Sequence, residues 1–150
     1  MTNNDYLRAL RHVMNIPDSR VAEILELTGY LVTPEEVKAY LKSEDEPGYV
    51  PCPHEVMSHF LNGMVIFKRG RDESRPMPPA EVPVTNNLVL KKLRVAFELK
   101  DTDLIALVEK SGTLKVTKSE LGAFFRARSH RNYRECGDQF LRHIFRSLSI

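Results

Sequence analysis

The chain repeats itself once, and this duplication constrains its fold more than any other feature of the sequence. The segment that begins at Asn3 aligns with the segment that begins at Asn86 at an offset of 83 residues, which becomes 84 after one inserted residue. The identities run through both copies: Asn3/Asn86, Asn4/Asn87, Leu7/Leu90, Leu10/Leu93, Arg11/Arg94, Asp18/Asp101, Glu26/Glu109, Gly29/Gly112, Thr33/Thr117, Glu36/Glu120, Ala39/Ala123, Tyr49/Tyr133, Cys52/Cys136 and His59/His143. Because a repeat of this length is one structural unit used twice, both copies are expected to share one architecture.

Each copy predicts four amphipathic helices. In the first helix, Leu7, Leu10 and Met14 recur at three- and four-residue intervals, a spacing that places apolar side chains on one helix face. No segment alternates polar and apolar residues over a length that would indicate a strand. The sequence therefore predicts an all-α protein built from two tandem four-helix repeats.

The helix boundaries are predicted from capping residues. The Asn pairs at 3–4 and 86–87 are interpreted as N-caps of the first helices, because a short amide oxygen can accept the free N–H groups of a first turn. A threonine followed by a glutamate three residues later, at 33 and 117, predicts capping boxes for the third helices. Glycines at 29 and 112 predict the ends of the second helices. The third helix of the second copy is expected over residues 118–128.

A basic, proline-rich linker joins the copies. We divide the chain into a first repeat at residues 1–67, a linker at 68–85 and a second repeat at 86–150, and four of the nine prolines lie in the linker. Because proline interrupts helices, the linker is expected to be extended and partly exposed. One repeat of this size would bury a thin core, so the two are expected to pack together as a pseudo-two-fold pair.

Composition argues against a membrane protein and favours the cytoplasm. The chain lacks an apolar run of the roughly 18 residues that a transmembrane helix needs. Its N-terminus also lacks the apolar core of a signal peptide. Cys52 and Cys136 are expected to be free thiols, as is usual in the cytoplasm, and no motif implies a cofactor.

Charge is distributed unevenly between the copies. Residues 1–67 carry five basic and ten acidic residues, and residues 86–150 carry thirteen basic and seven acidic ones, although the net charge is only +2. The contrast peaks between the third and fourth helices, where the first copy has an acidic loop and the second an arginine-rich loop. The acidic loop contains Glu44, Asp45 and Glu46, and the arginine-rich loop contains Arg126, Arg128, Arg131, Tyr133 and Arg134.

Two interpretations of the arginine-rich loop stay open. In the first, the loop binds nucleic acid or an acidic protein, together with Lys68, Arg69 and Arg71 of the linker, while Tyr133 stacks on a base. In the second, the acidic and basic loops pair within one chain or across a homodimer and fix its orientation. Arg11 and Arg94, which recur in both copies, are instead interpreted as partners in a structural salt bridge.

The sequence gives little support to catalysis or to metal binding. Cys52 and Cys136 precede the fourth helices, where a helix N-terminus can lower the pKa of a thiol, but a buried structural cysteine is the favoured interpretation. His59 and His143 each follow a cysteine by seven residues, and the resulting helical rise of about 10 Å is too long for one zinc site. An enzyme acting through Cys136 and His143 is the least favoured alternative.

Other common motifs are absent or weak. The chain has no nucleotide-binding loop and no nucleophile elbow, and Gly48, Gly63 and Gly70 are interpreted as isolated turn or helix-end residues. The second and third helices also allow a helix-turn-helix DNA reader, with residues 118–128 as its recognition helix.

Three stretches carry a resemblance to a known family. They are the Asn pair before LKKLR, the run from Phe60 to Met64 that leads into residues 68–71, and the segment from Tyr133 to Leu141. Together they resemble the YehS-like family of uncharacterised bacterial proteins over nearly the whole chain. The resemblance implies a duplicated helical domain of unknown function and transfers no catalytic or binding residue. Our leading hypothesis from the sequence is a non-enzymatic interaction module, and the alternative is a self-associating structural protein.

Overall fold

The computed structural model describes residues 1–110 and 112–149, which form eight α-helices and no strand. The helices are α1 (Asn3–Met14), α2 (Asp18–Glu26), α3 (Pro34–Leu41), α4 (His54–Arg69), α5 (Asn86–Ala96), α6 (Asp101–Glu109), α7 (Lys118–Phe124) and α8 (Asp138–Leu148). They fall into two compact units, Met1–Val84 and Thr85–Ile150. None of the described helices combines the length and apolar content that a membrane crossing requires. The prediction of an all-α chain with two four-helix repeats is confirmed.

The first unit is built around α2 and α4. Helix α2 packs against α3 and α4, and α1 packs against the same two helices. The largest fully buried side chains of this core are Leu7, Leu10, Ile24, Leu25, Met57, Phe60, Leu61 and Met64. Since complete burial of one such side chain contributes about 1.5–3 kcal/mol, the apolar stripe of each helix determines which face turns inward.

The second unit repeats this arrangement. Helix α6 packs against α7 and α8, and α5 packs against α8. Its fully buried side chains include Leu90, Leu93, Leu104 and Leu121. Leu90 and Leu93 occupy the positions of Leu7 and Leu10 in the first unit, so the two cores are equivalent.

Threonines, and not the Asn pairs, cap the first helices. Thr2 Oγ1 accepts a hydrogen bond from the Asp5 N–H at 3.1 Å, and Thr85 Oγ1 accepts one from the Leu88 N–H at 3.2 Å. Asn3 begins α1 itself, as Asn86 begins α5. The interpretation of the Asn pairs as N-caps was therefore wrong, because their side chains bond to distant loops and not to the first turn.

The third helices begin where the capping residues predicted. Thr33 and Glu36 form the predicted reciprocal capping box. Thr117 accepts the Glu120 N–H at 3.1 Å, but its own hydroxyl bonds to Glu120 Oε1 at 3.0 Å, so only half of the second box forms. The expected helix over residues 118–128 was wrong, because α7 ends at Phe124 and consecutive turns follow it. The helix that the sequence assigned to a helix-turn-helix reader is therefore shorter than predicted, with 7 residues.

The turn after the first helix of each unit is also repeated. Asn15 and Glu98 both adopt the left-handed conformation, with φ of 52° and 54°. The second helix of each unit begins three residues after this point, and an ion pair crosses the turn in each unit. The shorter pair joins Arg94 to Asp101 at 2.8 Å, and the longer one joins Arg11 to Asp18 at 3.8 Å. The predicted structural salt bridge is confirmed, although partly exposed pairs of this kind contribute at most about 1 kcal/mol.

Gly63 lies inside α4, so its interpretation as a turn or helix-end residue was wrong. A Cβ atom at Gly63 would lie 2.3 Å from the backbone carbonyl oxygen of Ile24 in α2. Gly48 and Gly70 do lie in a turn and at a helix end, with φ of +87° and +85°. The glycine in α4 is therefore required by the close approach of two helices.

The segment after α4 belongs to the first unit. Helix α4 continues to Arg69, and residues 70–84 then run without helix to the start of α5. Most of the segment is exposed, but Val84 is buried and the Val82–Pro83 peptide bond is cis. Its extended, partly exposed character was predicted from the prolines.

Candidate functional site

One buried asparagine ties three segments together in the first unit. Asn4 Nδ2 donates to the carbonyl oxygens of Tyr40 and Val50, at 2.9 Å each. Asn4 Oδ1 accepts the N–H of Cys52 at 2.9 Å. The amide therefore holds the end of α3 and the start of α4 against the first turn of α1.

The second unit contains the same device. Asn87 Nδ2 donates to the carbonyl oxygens of Phe124 at 3.0 Å and Arg134 at 2.8 Å, and Asn87 Oδ1 accepts the N–H of Cys136 at 2.9 Å. We call Asn4 and Asn87 the clamp asparagines. Each bonds to the backbone at both ends of the loop between the third and fourth helices, so the frame of that loop is the same in both units.

Within this frame, residues 126–134 of the second unit form a series of turns. The His130 N–H donates to the Ala127 carbonyl at 2.8 Å, and the Tyr133 N–H donates to the His130 carbonyl at 3.0 Å. The Asn132 N–H donates to His130 Nδ1 at 3.0 Å. His130, which had no role in the sequence hypothesis, therefore organises the arginine-rich loop.

The loop and α7 together form a groove of about 450 Å³, which we call the arginine groove. It is lined by Ser119, Glu120, Ala123, Arg126, Arg131, Asn132, Tyr133 and Arg134. Four of the predicted site residues, namely Arg126, Arg131, Tyr133 and Arg134, are thus brought together. Arg128 is exposed but does not line the groove.

The arginines of the groove are available to a ligand. Arg126, Arg131 and Arg134 are exposed, and Tyr133 is half-buried. In the part of the chain that the structure describes, none of the three guanidinium groups forms an ion pair or donates a hydrogen bond. Glu120, the acidic residue of the lining, accepts a hydrogen bond from Thr117. The groove therefore carries three arginines and one glutamate, and its net charge is positive.

The acidic loop of the first unit differs in this respect. Ser43 donates from its N–H to Glu46 Oε1 at 2.9 Å and from its hydroxyl to Asp45 Oδ1 at 2.8 Å. Lys42 Nζ donates to the Pro47 carbonyl at 2.7 Å. Hydrogen bonds from Ser43 lower the pKa of Glu46, which stays ionised. Two of the three acidic side chains in this loop thus accept hydrogen bonds from within it, whereas the guanidinium groups of the arginine groove have no such partners among the described residues.

Arg94 supports the start of the arginine-rich loop. Its guanidinium carbon lies 4.5 Å from the ring centroid of Phe125, and its Nη2 lies 2.8 Å from Asp101. Phe125 directly precedes Arg126, and the first unit has Leu41 at the same position. An aromatic ring held under a paired guanidinium therefore anchors the loop only in the second unit.

The predicted cations of the linker lie elsewhere. Lys68 and Arg69 are the last residues of α4 in the first unit, and Arg71 Nη1 donates to the Arg75 carbonyl at 3.4 Å. None of the three lines the arginine groove. The structure thus divides the predicted site between the two units.

The cysteines are packed as structural residues. Cys52 and Cys136 are buried and free, and each Sγ points to the carbonyl of the next residue at 3.7 Å and 3.6 Å. Burial raises the pKa of both thiols to about 12. Their expected state as free thiols is confirmed. Burial opposes the alternative in which a helix N-terminus activates a thiolate, because it disfavours the charged form of both sulfur atoms.

The associated histidines are also in structural positions. His143 is buried in the second unit, and the His59 ring stacks on Tyr30 with centroids 4.7 Å apart. Within residues 1–110 and 112–149, no three His, Cys, Asp or Glu side chains are grouped so that they could hold a metal ion.

Native thiol labelling is expected to be slow for both cysteines. With a pKa near 12 and buried sulfur atoms, Cys52 and Cys136 should react with a disulfide reagent at pH 7.5 at least about a hundredfold more slowly than a free cysteine. In urea, which unfolds the chain, both thiols should react at the rate of free cysteine. A stopped-flow absorbance measurement of the native chain gives the rates, and rapid labelling of Cys136 would support the thiol-enzyme alternative.

Comparison with known proteins agrees with the duplicated fold. The model of a family described as protein of unknown function (DUF1456) matches residues 3–70 and 86–150, one match for each repeat. The chain is 43% identical over 149 residues to the uncharacterized protein YehS of Escherichia coli (strain K12), covering 99% of this chain and 95% of that protein. No solved structure matches the chain significantly. The two matches cover the helices and both clamp asparagines, and they show that the chain belongs to the DUF1456 family.

Proposed function

We propose that the protein is a cytoplasmic, non-enzymatic interaction module whose arginine groove binds the phosphate backbone of single-stranded nucleic acid. The observation that carries the proposal is the convergence of Arg126, Arg131 and Arg134 on one groove, in which none of the three forms an ion pair with a described residue. Guanidinium groups bind phosphate with paired hydrogen bonds, which makes such a cluster suited to a nucleic-acid backbone.

The shape of the groove favours a single strand. Its volume of about 450 Å³ leaves room for a nucleotide of an unpaired strand. Tyr133 lies beside the arginines in the lining, and an aromatic ring can stack on a base of any identity. These features support binding without strong sequence preference.

The proposal is tested with the full chain and a fluorescein-labelled oligonucleotide. We expect the Arg126→Glu/Arg131→Glu variant to lose at least about tenfold in affinity, because two phosphate contacts become repulsive. For three phosphate contacts, raising the salt concentration from about 50 to 200 mM should weaken wild-type binding about twentyfold. Fluorescence anisotropy at several salt concentrations measures both effects.

The matched control is Arg142→Glu/Arg146→Glu. It makes the same change in net charge at two exposed arginines of α8 outside the groove, and it should retain wild-type affinity within about threefold. Equal losses in both variants would show general electrostatic attraction and contradict a site in the groove. Absence of oligonucleotide binding at low salt would contradict nucleic acid as the ligand and would leave an acidic protein as the candidate.

The alternative function is self-association through the opposite charges of the two loops. It is favoured by the exposure of Glu44, Asp45 and Glu46 at the position that is arginine-rich in the second unit. Light scattering in the same buffers distinguishes the two functions. A dimer that the groove variant dissociates, without oligonucleotide binding, would support the alternative.

A further inference from the structure

The outer face of α4 is a surface for an extended peptide. His54, Ser58 and Asn62 follow one another at four-residue intervals along this helix, and each bonds to the backbone of residues 78–84. The Val84 N–H donates to His54 Nδ1 at 3.0 Å, and the Glu81 N–H donates to Ser58 Oγ at 2.7 Å. Asn62 Nδ2 lies 3.3 Å from the Pro78 carbonyl oxygen and 3.4 Å from that of Pro79. In the first unit, this face of α4 is therefore occupied by residues 78–84 of the same chain.

The equivalent face of α8 has different side chains. The repeat places Asp138, Arg142 and Arg146 at the positions of His54, Ser58 and Asn62. Arg142 and Arg146 are exposed. Among residues 1–110 and 112–149, neither guanidinium donates a hydrogen bond. The Asp138 carboxylate, whose pKa is lowered mainly by a hydrogen bond from Asn86, is also stabilised in its ionised form by the charge of Arg142. The side chains that hold the segment in the first unit are therefore replaced by one carboxylate, at the start of α8, and by two exposed cations.

The spacing of these arginines matches an extended chain. Residues four apart on a helix are separated by a rise of about 6 Å. Side chains on one side of an extended peptide, at positions i and i+2, are about 6.6 Å apart. Two carboxylates separated by one residue can therefore reach Arg142 and Arg146 together, and a carboxylate fits a guanidinium with two parallel hydrogen bonds.

We propose that the α8 face formed by Arg142 and Arg146 binds an extended acidic segment of a partner protein, with carboxylates at positions i and i+2. The internal precedent is the extended proline-containing segment on α4, and the change from hydroxyl and carboxamide to guanidinium sets the preference for acidic side chains. This site is separate from the arginine groove and does not depend on the function proposed for it.

The test uses a short fluorescein-labelled peptide with two glutamates separated by one residue and flanked by prolines. We expect the full chain to bind this peptide at low salt. A matched peptide with glutamines at both positions should bind at least about tenfold more weakly, since the charge-assisted bonds are lost. The Arg142→Glu/Arg146→Glu variant should also bind the glutamate peptide at least about tenfold more weakly.

The groove variant Arg126→Glu/Arg131→Glu is the control for net charge, and it should bind the peptide as the wild type does. Arg142→Gln/Arg146→Gln removes the charge without reversing it, and circular dichroism checks that each variant is folded. Absence of peptide binding, or equal losses in both glutamate variants, would overturn the proposal. Displacement of the peptide from this face by a single-stranded oligonucleotide would assign α8 to nucleic acid instead.

Discussion

Replacing Gly63 with alanine is expected to lower the free energy of unfolding by about 3 kcal/mol. The added Cβ atom would lie 2.3 Å from the Ile24 carbonyl oxygen and 2.9 Å from Ile24 Cγ2. Since the first of these atoms belongs to the backbone of α2, the clash is relieved only if two core helices move apart. Urea unfolding followed by circular dichroism measures the loss.

The second unit supplies the matched controls for this substitution. Gly122 lies in α7 with no atom within 4 Å of an added Cβ, so Gly122→Ala should increase stability by up to about 1 kcal/mol through helix propensity. The same chemical change is thus expected to act with opposite signs at the two glycines. A Gly63→Ala variant as stable as the wild type would contradict the close approach of α2 and α4.

The position equivalent to Gly63 explains why the close approach is confined to one unit. Ser147 occupies it in α8, and Ser147 Oγ donates to the Leu107 carbonyl at 2.8 Å. Leu107 is the counterpart of Ile24 in the repeat. Equivalent carbonyl groups therefore face a glycine in one unit and a hydroxyl donor in the other. Replacing Ser147 with alanine should lower the free energy of unfolding by only about 1 kcal/mol, because a single hydrogen bond is lost.

Removal of a clamp asparagine is expected to have the next largest effect on stability. Asn4→Ala and Asn87→Ala should each lower the free energy of unfolding by about 3 kcal/mol. Each change leaves two carbonyl groups and one N–H without their partner, and the N–H belongs to a buried cysteine. Urea unfolding of the full chain is again the measurement.

The two clamp variants are expected to differ in ligand binding. Asn87 holds both ends of the arginine-rich loop through Phe124 and Arg134, so Asn87→Ala should weaken oligonucleotide binding, whereas Asn4→Ala should not. Asn62→Ala is a control for the loss of a buried amide whose own bonds are long, at 3.3 and 3.4 Å. If Asn62→Ala lowered the free energy of unfolding as much as Asn4→Ala does, the special role of the clamp asparagines would be contradicted.

Local patterns in the sequence were sufficient to predict the helices and their duplication. Apolar periodicity and the Thr33 capping box concern residues within one or two turns of each other, and the Arg11–Asp18 pair crosses a single turn. The Asn pairs were misinterpreted because their side chains bond to residues 36 to 52 positions away. Thr2 with Asp5 carried the correct N-cap signal, and it lies one residue before the pair.

The candidate site was predicted only in part for the same reason. The arginine-rich loop was recognisable as a local run of charge, and four of its residues do line one groove. The sequence could not indicate that Arg128 lies outside the groove or that the linker cations belong to the other unit. The sequence also could not indicate the face of α8 as a binding surface, because that inference depends on the contacts of residues 78–84 with the equivalent positions of α4.

Mapping of the oligonucleotide by nuclear magnetic resonance tests the central claim most directly. The isotope-labelled full chain is titrated with an unlabelled single-stranded oligonucleotide at low salt, and the amide chemical shifts are followed residue by residue. We predict that the largest changes occur at residues 119–134, with small changes at residues 68–71 and in α8. Changes centred on residues 68–71, or the absence of any change at low salt, would contradict nucleic-acid binding by the arginine groove.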